Sequence, residues 1–164
     1  MPSRVFLGSI KLFDLPIIYI WQKNAENAVL RNAKAVPKNF FSVIIWYAKI
    51  LRLEPDEIQY FAIRSCFSGI IGYASVKIEI DKDMKTAVIG IFLGKSRNVG
   101  FGSTTLGLIE VHCLQRDIPR LKAIINSKNT ISENFFKKNG FKIISQDLSS
   151  KIYIKEIKST NNLD

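Results

Sequence analysis

Apolar and polar positions recur with a period of two in several parts of this chain, which is typical of β-strands. Between residues 58 and 94, the segments IQYFAIRS, GIIGYASVKIEI and TAVIGIFLG are rich in β-branched and aromatic residues and are separated by short polar turns. This pattern predicts three consecutive antiparallel strands. VFLGSIKLF at 5–13 predicts an opening strand, and RLKAIINS at 120–127 and KIYIKEI at 151–157 predict two later ones.

The N-terminal half also contains two segments with helical spacing. Asp14 precedes LPIIYIWQ, with Pro16 in the first turn, so we expect a helix that Asp14 caps. Asn39 is placed to cap FFSVIIWYAKILR at 40–52. Because that segment is apolar over most of its circumference, we expect its helix to be buried on several sides or to lie against a pocket or a partner.

Two more helices are predicted in the C-terminal half. Residues 102–115 return to helical spacing, with Leu106, Ile109 and Cys113 on one face. The segment SENFFKKN predicts a short helix that ends at Gly140, since glycine suits the left-handed position after a helix.

The pattern as a whole predicts a single α+β domain. The expected element order is β, α, α, β, β, β, α, β, α, β, without an internal repeat or a linker. A chain of 164 residues with 47% apolar content can bury one sizeable core. We therefore expect one domain over residues 1–158 and a polar tail over residues 159–164.

Composition narrows the partners that the chain could bind. Cys66, Cys113 and a single histidine suggest neither a disulfide framework nor a metal cluster, so we expect no metal. The formal charge of +10 favours an anionic partner: nucleic acid, an acidic protein, a phosphorylated metabolite or a phosphate-rich cofactor. The lysines are scattered, without the interleaved aromatic residues of single-strand binders, so nucleic acid is not the expected partner and a solvated surface is the plain alternative.

The same composition bears on location. No run reaches the roughly 18 apolar residues that span a bilayer. The N-terminal segment MPSRVFLGSIKLFD lacks the basic and apolar regions of a secretory signal. We therefore expect a cytoplasmic protein without a membrane partner, present as a monomer or a homodimer.

The loop RNVGFGST, residues 97–104, lies between a predicted strand and a predicted helix. The first N–H groups of a helix have no partner within the helix and carry partial positive charge. Glycine at positions 100 and 102 would let an anion approach these donors, so the loop is either a phosphate cradle or an ordinary turn. Thr105 stands where a dinucleotide-binding motif needs its third glycine, and no lysine follows Gly102 as a P-loop requires.

Two motifs together resemble the GCN5-related N-acetyltransferases, which transfer an acetyl group from acetyl-coenzyme A to an amine. Arg97, Gly100 and Gly102 match the loop motif of this family. INSKNTISENFFKKNGF at 125–141 is similar to its second motif, with Asn126, Asn129, Lys138, Gly140 and Phe141 in the expected places. The resemblance implies a mixed, mostly antiparallel sheet with helices on both faces, splayed between the fourth and fifth strands.

The resemblance also implies how acetyl-coenzyme A is bound as co-substrate. The backbone of Ile91, Phe92 and Leu93 would pair with the pantetheine arm, Asn129 would bond to the arm or near the thioester, and Lys138 could reach a phosphate. Phe136 occupies the place of the tyrosine that often protonates the leaving thiolate. The residues implied to hold the pyrophosphate are Arg97, Asn98, Val99, Gly100, Phe101, Gly102 and Ser103.

The catalytic groups are less clearly marked in the sequence. Val88 stands where many relatives have a glutamate as general base. Glu79 on the preceding strand is the first candidate in its place, with Ser75 facing the same side, although a solvent-facing charge is the alternative for Glu79. Asn126 completes the catalytic candidates. With phenylalanine at 136, Tyr73 or Tyr153 is an alternative proton donor, and unassisted release of the thiolate is another.

The N-terminal half suggests an acceptor. Residues 19–51 are similar to a region of family members that acetylate amino sugars on nucleotide carriers or the N-termini of ribosomal proteins, with Trp21, Pro37 and Trp46 aligned. Val43 departs from that pattern, which has a histidine in the helix. The first expectation is an amino sugar on a nucleotide carrier. A peptide N-terminus, or a degenerate module that binds coenzyme or associates with nucleic acid without turnover, is the alternative.

Overall fold

The computed structural model describes residues 5–24, 37–52, 57–66, 68–81, 84–95 and 100–158. The strands are β1 Val5–Ser9, β2 Ile58–Ser65, β3 Gly69–Asp81, β4 Met84–Leu93, β5 Arg120–Asn126, β6 Lys142–Gln146 and β7 Ser150–Glu156. The helices are α1 Leu15–Lys23, α2 Phe40–Ile50, α3 Phe101–Leu114 and α4 Thr130–Lys138, and a 3-10 turn at Leu12–Asp14 leads into α1. The predicted tail at 159–164 lies outside the described residues, and the proposed domain bounds stay a prediction.

The seven strands form one sheet in the order β1-β2-β3-β4-β5-β7-β6. Every neighbouring pair is antiparallel except β4 and β5, which run parallel. The predicted mixed, mostly antiparallel sheet is therefore confirmed.

The parallel pair separates along its length. Only Thr86–Val88 of β4 pair with Arg120–Lys122 of β5, although β4 continues to Leu93 and β5 to Asn126. Beyond Val88, β4 stays bonded to β3 alone, up to the pair Gly72 and Leu93. The predicted splay between the fourth and fifth strands is confirmed, and we call this gap the strand opening.

Helices cover both faces of the sheet. On one face, Leu106, Ile109 and Cys113 of α3 and Phe136 of α4 pack in the main core with buried strand residues. On the other face, α1 and α2 form a second cluster, whose buried residues are Ile10, Leu15, Ile18, Trp21, Val43 and Ala62. Helices on both faces were predicted, and the face carrying α1 and α2 is called the acceptor face below.

The structure adds a strand that the sequence pattern did not predict. β6 pairs with β7, and each of its residues is exposed. Without a buried face, a strand has no apolar alternation to reveal it. The intervening turn is stabilised by Asp147, whose carboxylate accepts the backbone N–H groups of Ser149 and Ser150 at 2.7 Å each.

Two helix predictions have different outcomes. Asn39 caps α2 as predicted, since its Oδ1 accepts the Ser42 N–H at 3.0 Å. The side chain of Asp14 makes no capping bond to α1, which is a correction. It forms a buried ion pair with Arg64 at 2.6 Å instead, and also accepts the Lys11 N–H. The carboxylate therefore ties the start of α1 to β2.

Helix α2 is less buried than its composition suggested. Val43 is the one residue of α2 that is fully buried. Phe41 inside the helix and Leu51 just beyond its end are exposed. The C-terminal end of α2 lies beside a cavity of about 440 Å³ that β1 and β2 also line. This agrees with the prediction that the helix lies against a pocket. Within the described residues, none of the helices is both long and apolar enough to cross a membrane.

Candidate active site

The chain leaves β4 through a fixed turn at the end of the strand opening. The N–H groups of Gly94 and Lys95 both donate to the carbonyl oxygen of Ile71, at 2.9 and 3.2 Å. Residues 96–99, which include the predicted Arg97, Asn98 and Val99, lie outside the described residues. The described chain resumes at Gly100, the residue that precedes α3.

Gly100 has the backbone conformation that the glycine pattern suggested. Its φ of 85° lies in the left-handed region, where other residues are strained. A Cβ placed there would have no atom of the described chain within 4 Å, so the space beside it is open. Among the described residues, no side chain caps α3, and its first turn contains no acidic residue. The N–H groups of Phe101, Gly102 and Ser103 therefore suit a phosphate group.

Gly102 also lies where α3 and α4 pack together, and its predicted contact with the coenzyme stays a prediction. A Cβ at this position would lie 3.0 Å from Cε2 of Phe135 in α4, so the missing side chain permits close packing of the two helices. Lys138 is one turn beyond Phe135 and is exposed. Residues three apart share a helix face, so Lys138 lies on the same side of α4 as Phe135, and its contact with a phosphate stays a prediction.

The edge of β4 in the strand opening suits an extended, amide-containing ligand. In an antiparallel pair, alternate residues direct their N–H and C=O groups away from the partner strand. Along Ile91, Phe92 and Leu93 such groups face the opening, because β5 no longer pairs there. This backbone has the free edge that the resemblance requires, and its contact with the pantetheine arm stays a prediction.

Ser75 is brought close to this edge. It pairs with Gly90 across β3 and β4, and its Oγ lies 2.8 Å from where a Cβ of Gly90 would be. Glycine at position 90 thus leaves room for the hydroxyl over the strand. Ser75 is two residues from Tyr73, which packs with α1 and α2. Because alternate residues of a strand share a face, Ser75 lies on the acceptor face, beside the opening.

Glu79 is held by two lysines at the closed end of the opening. It pairs with Thr86, where β4 and β5 are still bonded, and its carboxylate accepts Lys77 Nζ at 3.0 Å and Lys122 Nζ at 3.2 Å. The hydrogen bond from Lys77 is the main cause that lowers the pKa of Glu79, with Lys122 adding to it and burial opposing. A lowered pKa weakens a general base, so the geometry does not favour that role for Glu79.

The asparagines of the second motif stabilise local structure. Asn126 at the end of β5 accepts the Lys128 N–H through its Oδ1 at 2.9 Å. Asn129 is 6% exposed, and its Oδ1 caps α4 by accepting the Ser132 N–H at 3.0 Å. Asn129 therefore fixes the start of α4, and contact of either side chain with the coenzyme or the reacting groups stays a prediction.

Aromatic residues proposed near the thiolate lie in different surroundings. Phe136 is 7% exposed and packs between Phe135 and Phe141, with ring centroids 5.0 and 4.9 Å away, so it is a core residue and its coenzyme contact stays a prediction. Tyr153 is fully buried and donates to Glu133 at 2.9 Å, while burial raises the pKa of its hydroxyl. Tyr153 is therefore unsuited to protonate a leaving group.

Tyr73, the other tyrosine considered as a proton donor, lies on the acceptor face, with its ring centroid 5.1 Å from that of Phe92.

One residue beside the site was not identified from the sequence in this role. Trp21 of α1, which the sequence marked only by its alignment with related family members, is buried against Gly94 and Phe92. The only sequence signal of this contact was the glycine that ends IFLG, whose neighbour across space cannot be read from spacing.

Comparisons with known proteins bear on the family and the fold of this chain. The acetyltransferase (GNAT) domain model matches residues 4–142 of the chain. None of the curated proteins matches it. The spermidine N-acetyltransferase from Vibrio cholerae, in complex with CoA and spermine, has a similar structure: TM-score 0.78, 14% identity, 93% of this chain and 95% of that chain covered.

Two further solved structures are similar. The nucleotide-linked sugar GNAT FdhC, without ligand, has a TM-score of 0.78 at 16% identity over 94% of this chain and 87% of that chain. The ribosomal L7/L12 alpha-N-protein acetyltransferase RimL, in complex with coenzyme A, has a TM-score of 0.75 at 20% identity over 96% of each chain. At these identities the likeness establishes the fold.

Proposed function

Because the chain belongs to the acetyltransferase (GNAT) family, whose enzymes use acetyl-CoA as co-substrate, we propose that it acetylates a primary amine of an amino sugar on a nucleotide carrier. The enzyme class and the co-substrate follow from the family. The acceptor is the new element, and it rests on the charges of the acceptor face beside the strand opening.

A row of lysines on the acceptor face carries this proposal. Lys77 of β3, Val88 of β4 and Lys122 of β5 stand side by side in the sheet, at the last pair before the strands separate. Glu79 contacts both lysines and neutralises one of the two charges. The remaining positive charge would attract a phosphate of the acceptor and repel a polyamine. The formal charge of +10 for the whole chain acts in the same direction.

The chemistry needs the amine, the thioester and an oxyanion donor close together. The bound coenzyme supplies an activated acetyl thioester. The chain's own part is to hold it along the β4 edge, where a backbone N–H near Phe92 would polarise the carbonyl oxygen for direct attack. Ser75, beside the opening, would accept a hydrogen bond from the incoming amine, and solvent would take up the proton that the amine loses. Asn126, at the end of β5 across the opening, would help to orient the acceptor.

The experiment compares acceptors that differ in charge. Release of free thiol from acetyl-CoA is measured with a nucleotide-linked amino sugar, the same amino sugar without the nucleotide, and spermidine. The expected order of kcat/KM is the nucleotide-linked sugar first and spermidine last. Lys122→Gln should raise KM for the nucleotide-linked sugar about three- to tenfold and leave KM for the free sugar unchanged.

A matched variant tests whether position matters as well as charge. Lys142→Gln removes one positive charge from exposed β6, away from the opening, and should change neither KM. A preference for spermidine, or equal effects of the two lysine variants, would overturn the proposed acceptor. Coenzyme binding without turnover of any amine would favour the degenerate module.

A peptide N-terminus is the second candidate acceptor. One observation favours it: the ribosomal-protein acetyltransferase above is among the structures most like this chain in coverage. An acidic peptide could use the same lysine row. Adding acidic and neutral peptides with free N-termini to the acceptor panel separates this candidate, since it requires the acidic peptide to exceed the nucleotide-linked sugar in kcat/KM.

A further inference from the structure

Trp21 lies against the point where the chain leaves β4. A methyl group added at Gly94 would overlap three atoms of the indole, Cε2, Cδ2 and Nε1. These atoms lie at and beside the fusion of the two rings, so the indole presents its face to the Gly94 backbone. The same ring is 6.0 Å from the ring of Phe92, two residues earlier on the same side of the strand.

Gly94 is held from two directions. Its N–H donates to the carbonyl oxygen of Ile71 on β3, and its α-carbon lies under the indole of α1. Trp21 itself is only 6% exposed and packs with Leu15 and Ile18 in the second cluster, so its ring is fixed in turn. The direction in which the chain leaves β4 therefore depends on a side chain from α1.

Only close packing explains glycine at position 94. The glycines with positive φ in the described chain are Gly69, Gly100 and Gly140, so Gly94 has a conformation that alanine can adopt. The three nearest atoms that a side chain at 94 would meet all belong to the indole. The contact can therefore be tested by changing either Gly94 or Trp21.

We propose that Trp21 is a positioning residue for coenzyme binding, which holds the end of β4 at Gly94 in line with the cradle formed by the N–H groups of Phe101, Gly102 and Ser103, where the pyrophosphate would bind. This role rests on coenzyme binding and is independent of the acceptor. It predicts that the contact matters for the pyrophosphate and much less for the thioester arm, which lies along Ile91, Phe92 and Leu93.

The test measures binding of two ligands to paired variants. Acetyl-CoA is titrated by calorimetry, and S-acetylpantetheine, which has the thioester arm but no pyrophosphate, is titrated by NMR. Gly94→Ala and Trp21→Ala should each weaken acetyl-CoA about tenfold or more, and the double variant should be no weaker than Trp21→Ala, because the methyl group then has room. Binding of S-acetylpantetheine should change less than about threefold in each variant.

Controls keep the result interpretable if Trp21→Ala does not fold. Trp21→Phe keeps an aromatic ring over Gly94 and should bind acetyl-CoA close to the wild-type level, while Trp46→Phe changes the other tryptophan, which contacts Tyr60 away from the loop. Circular dichroism and the thermal midpoint report folding of each variant. Equal weakening of both ligands, or a Gly94→Ala effect that is the same with Trp21 and with alanine at 21, would overturn the proposal.

Discussion

Two neighbouring regions at the strand opening offer different chemical groups to the ligands proposed for them. On the coenzyme side, the groups offered are backbone N–H and C=O groups of β4 and of the first turn of α3, set by the conformation of Gly100. On the acceptor face, the groups offered are side chains: Ser75, Lys77 and Lys122. A backbone site needs glycines at fixed positions, whereas a side-chain site can be rebuilt by single substitutions. The coenzyme is therefore easier to identify from this chain than the acceptor.

The largest expected effect is on the backbone side. Gly100→Asp forces a side chain into a φ of 85° and puts a negative charge where the pyrophosphate would lie. We expect acetyl-CoA affinity to fall more than about 100-fold, measured by calorimetry. Gly107→Ala is the matched control, since its new Cβ, inside α3, would meet no described atom within 4 Å other than the nearby backbone of the helix and its chain neighbours. Unchanged affinity in the Gly100→Asp protein would contradict a coenzyme cradle at this turn.

A smaller effect on acetyl-CoA binding is expected for a substitution at Gly102, the second residue of α3. In Gly102→Ala, the new Cβ would lie 3.0 Å from Phe135 and would push α3 away from α4. We expect about tenfold weaker acetyl-CoA binding, and partial recovery when Phe135→Leu is added, because the smaller side chain makes room. If Phe135→Leu brings no recovery, Gly102 acts through direct ligand contact instead of helix packing.

The hydrogen bonds to Glu133 of α4 predict that the stability of the folded chain depends on pH. Hydrogen bonds from Lys137, Lys151 and Tyr153 lower the pKa of Glu133 from 4.5 to about 2. Because the folded pKa is the lower one, this contribution is fully present above pH 4.5 and is lost as pH falls toward 2. Glu133→Gln should therefore lower the thermal midpoint by a few degrees at pH 7 and by less at pH 3.

Thermal unfolding at both pH values, with Glu156→Gln as control, checks that dependence. Glu156 also pairs with a basic residue, Arg120 at 2.6 Å, but it lies on an exposed strand end and has no second basic partner among the described residues. A midpoint difference between wild type and Glu133→Gln that is the same at pH 7 and pH 3 would contradict the assigned network.

The contrast between the two sides also explains what the sequence could predict. The strand opening and Gly100 follow from local patterns and from two motifs that occur in order. Asp14 and Arg64 are 50 positions apart, and Glu79 and Lys122 are 43 apart, so neither ion pair has a local signature. The packing of Trp21 on Gly94 is missed for the same reason. Contacts between distant segments depend on the completed sheet, and no spacing rule anticipates them.

The smallest expected effect concerns Glu79, and it distinguishes a catalytic role of this carboxylate from a purely electrostatic one. In Glu79→Gln, Lys77 and Lys122 lose their shared carboxylate, so the acceptor face becomes more positive. If Glu79 only balances these charges, kcat and its pH profile should change little, and KM for an anionic acceptor should fall by up to about threefold. If Glu79 is the general base, kcat should fall more than about tenfold and the acidic limb of the profile should disappear. Because its carboxylate is bound by two lysines and its pKa is lowered, we expect the first result, which would place proton removal at Ser75 and solvent.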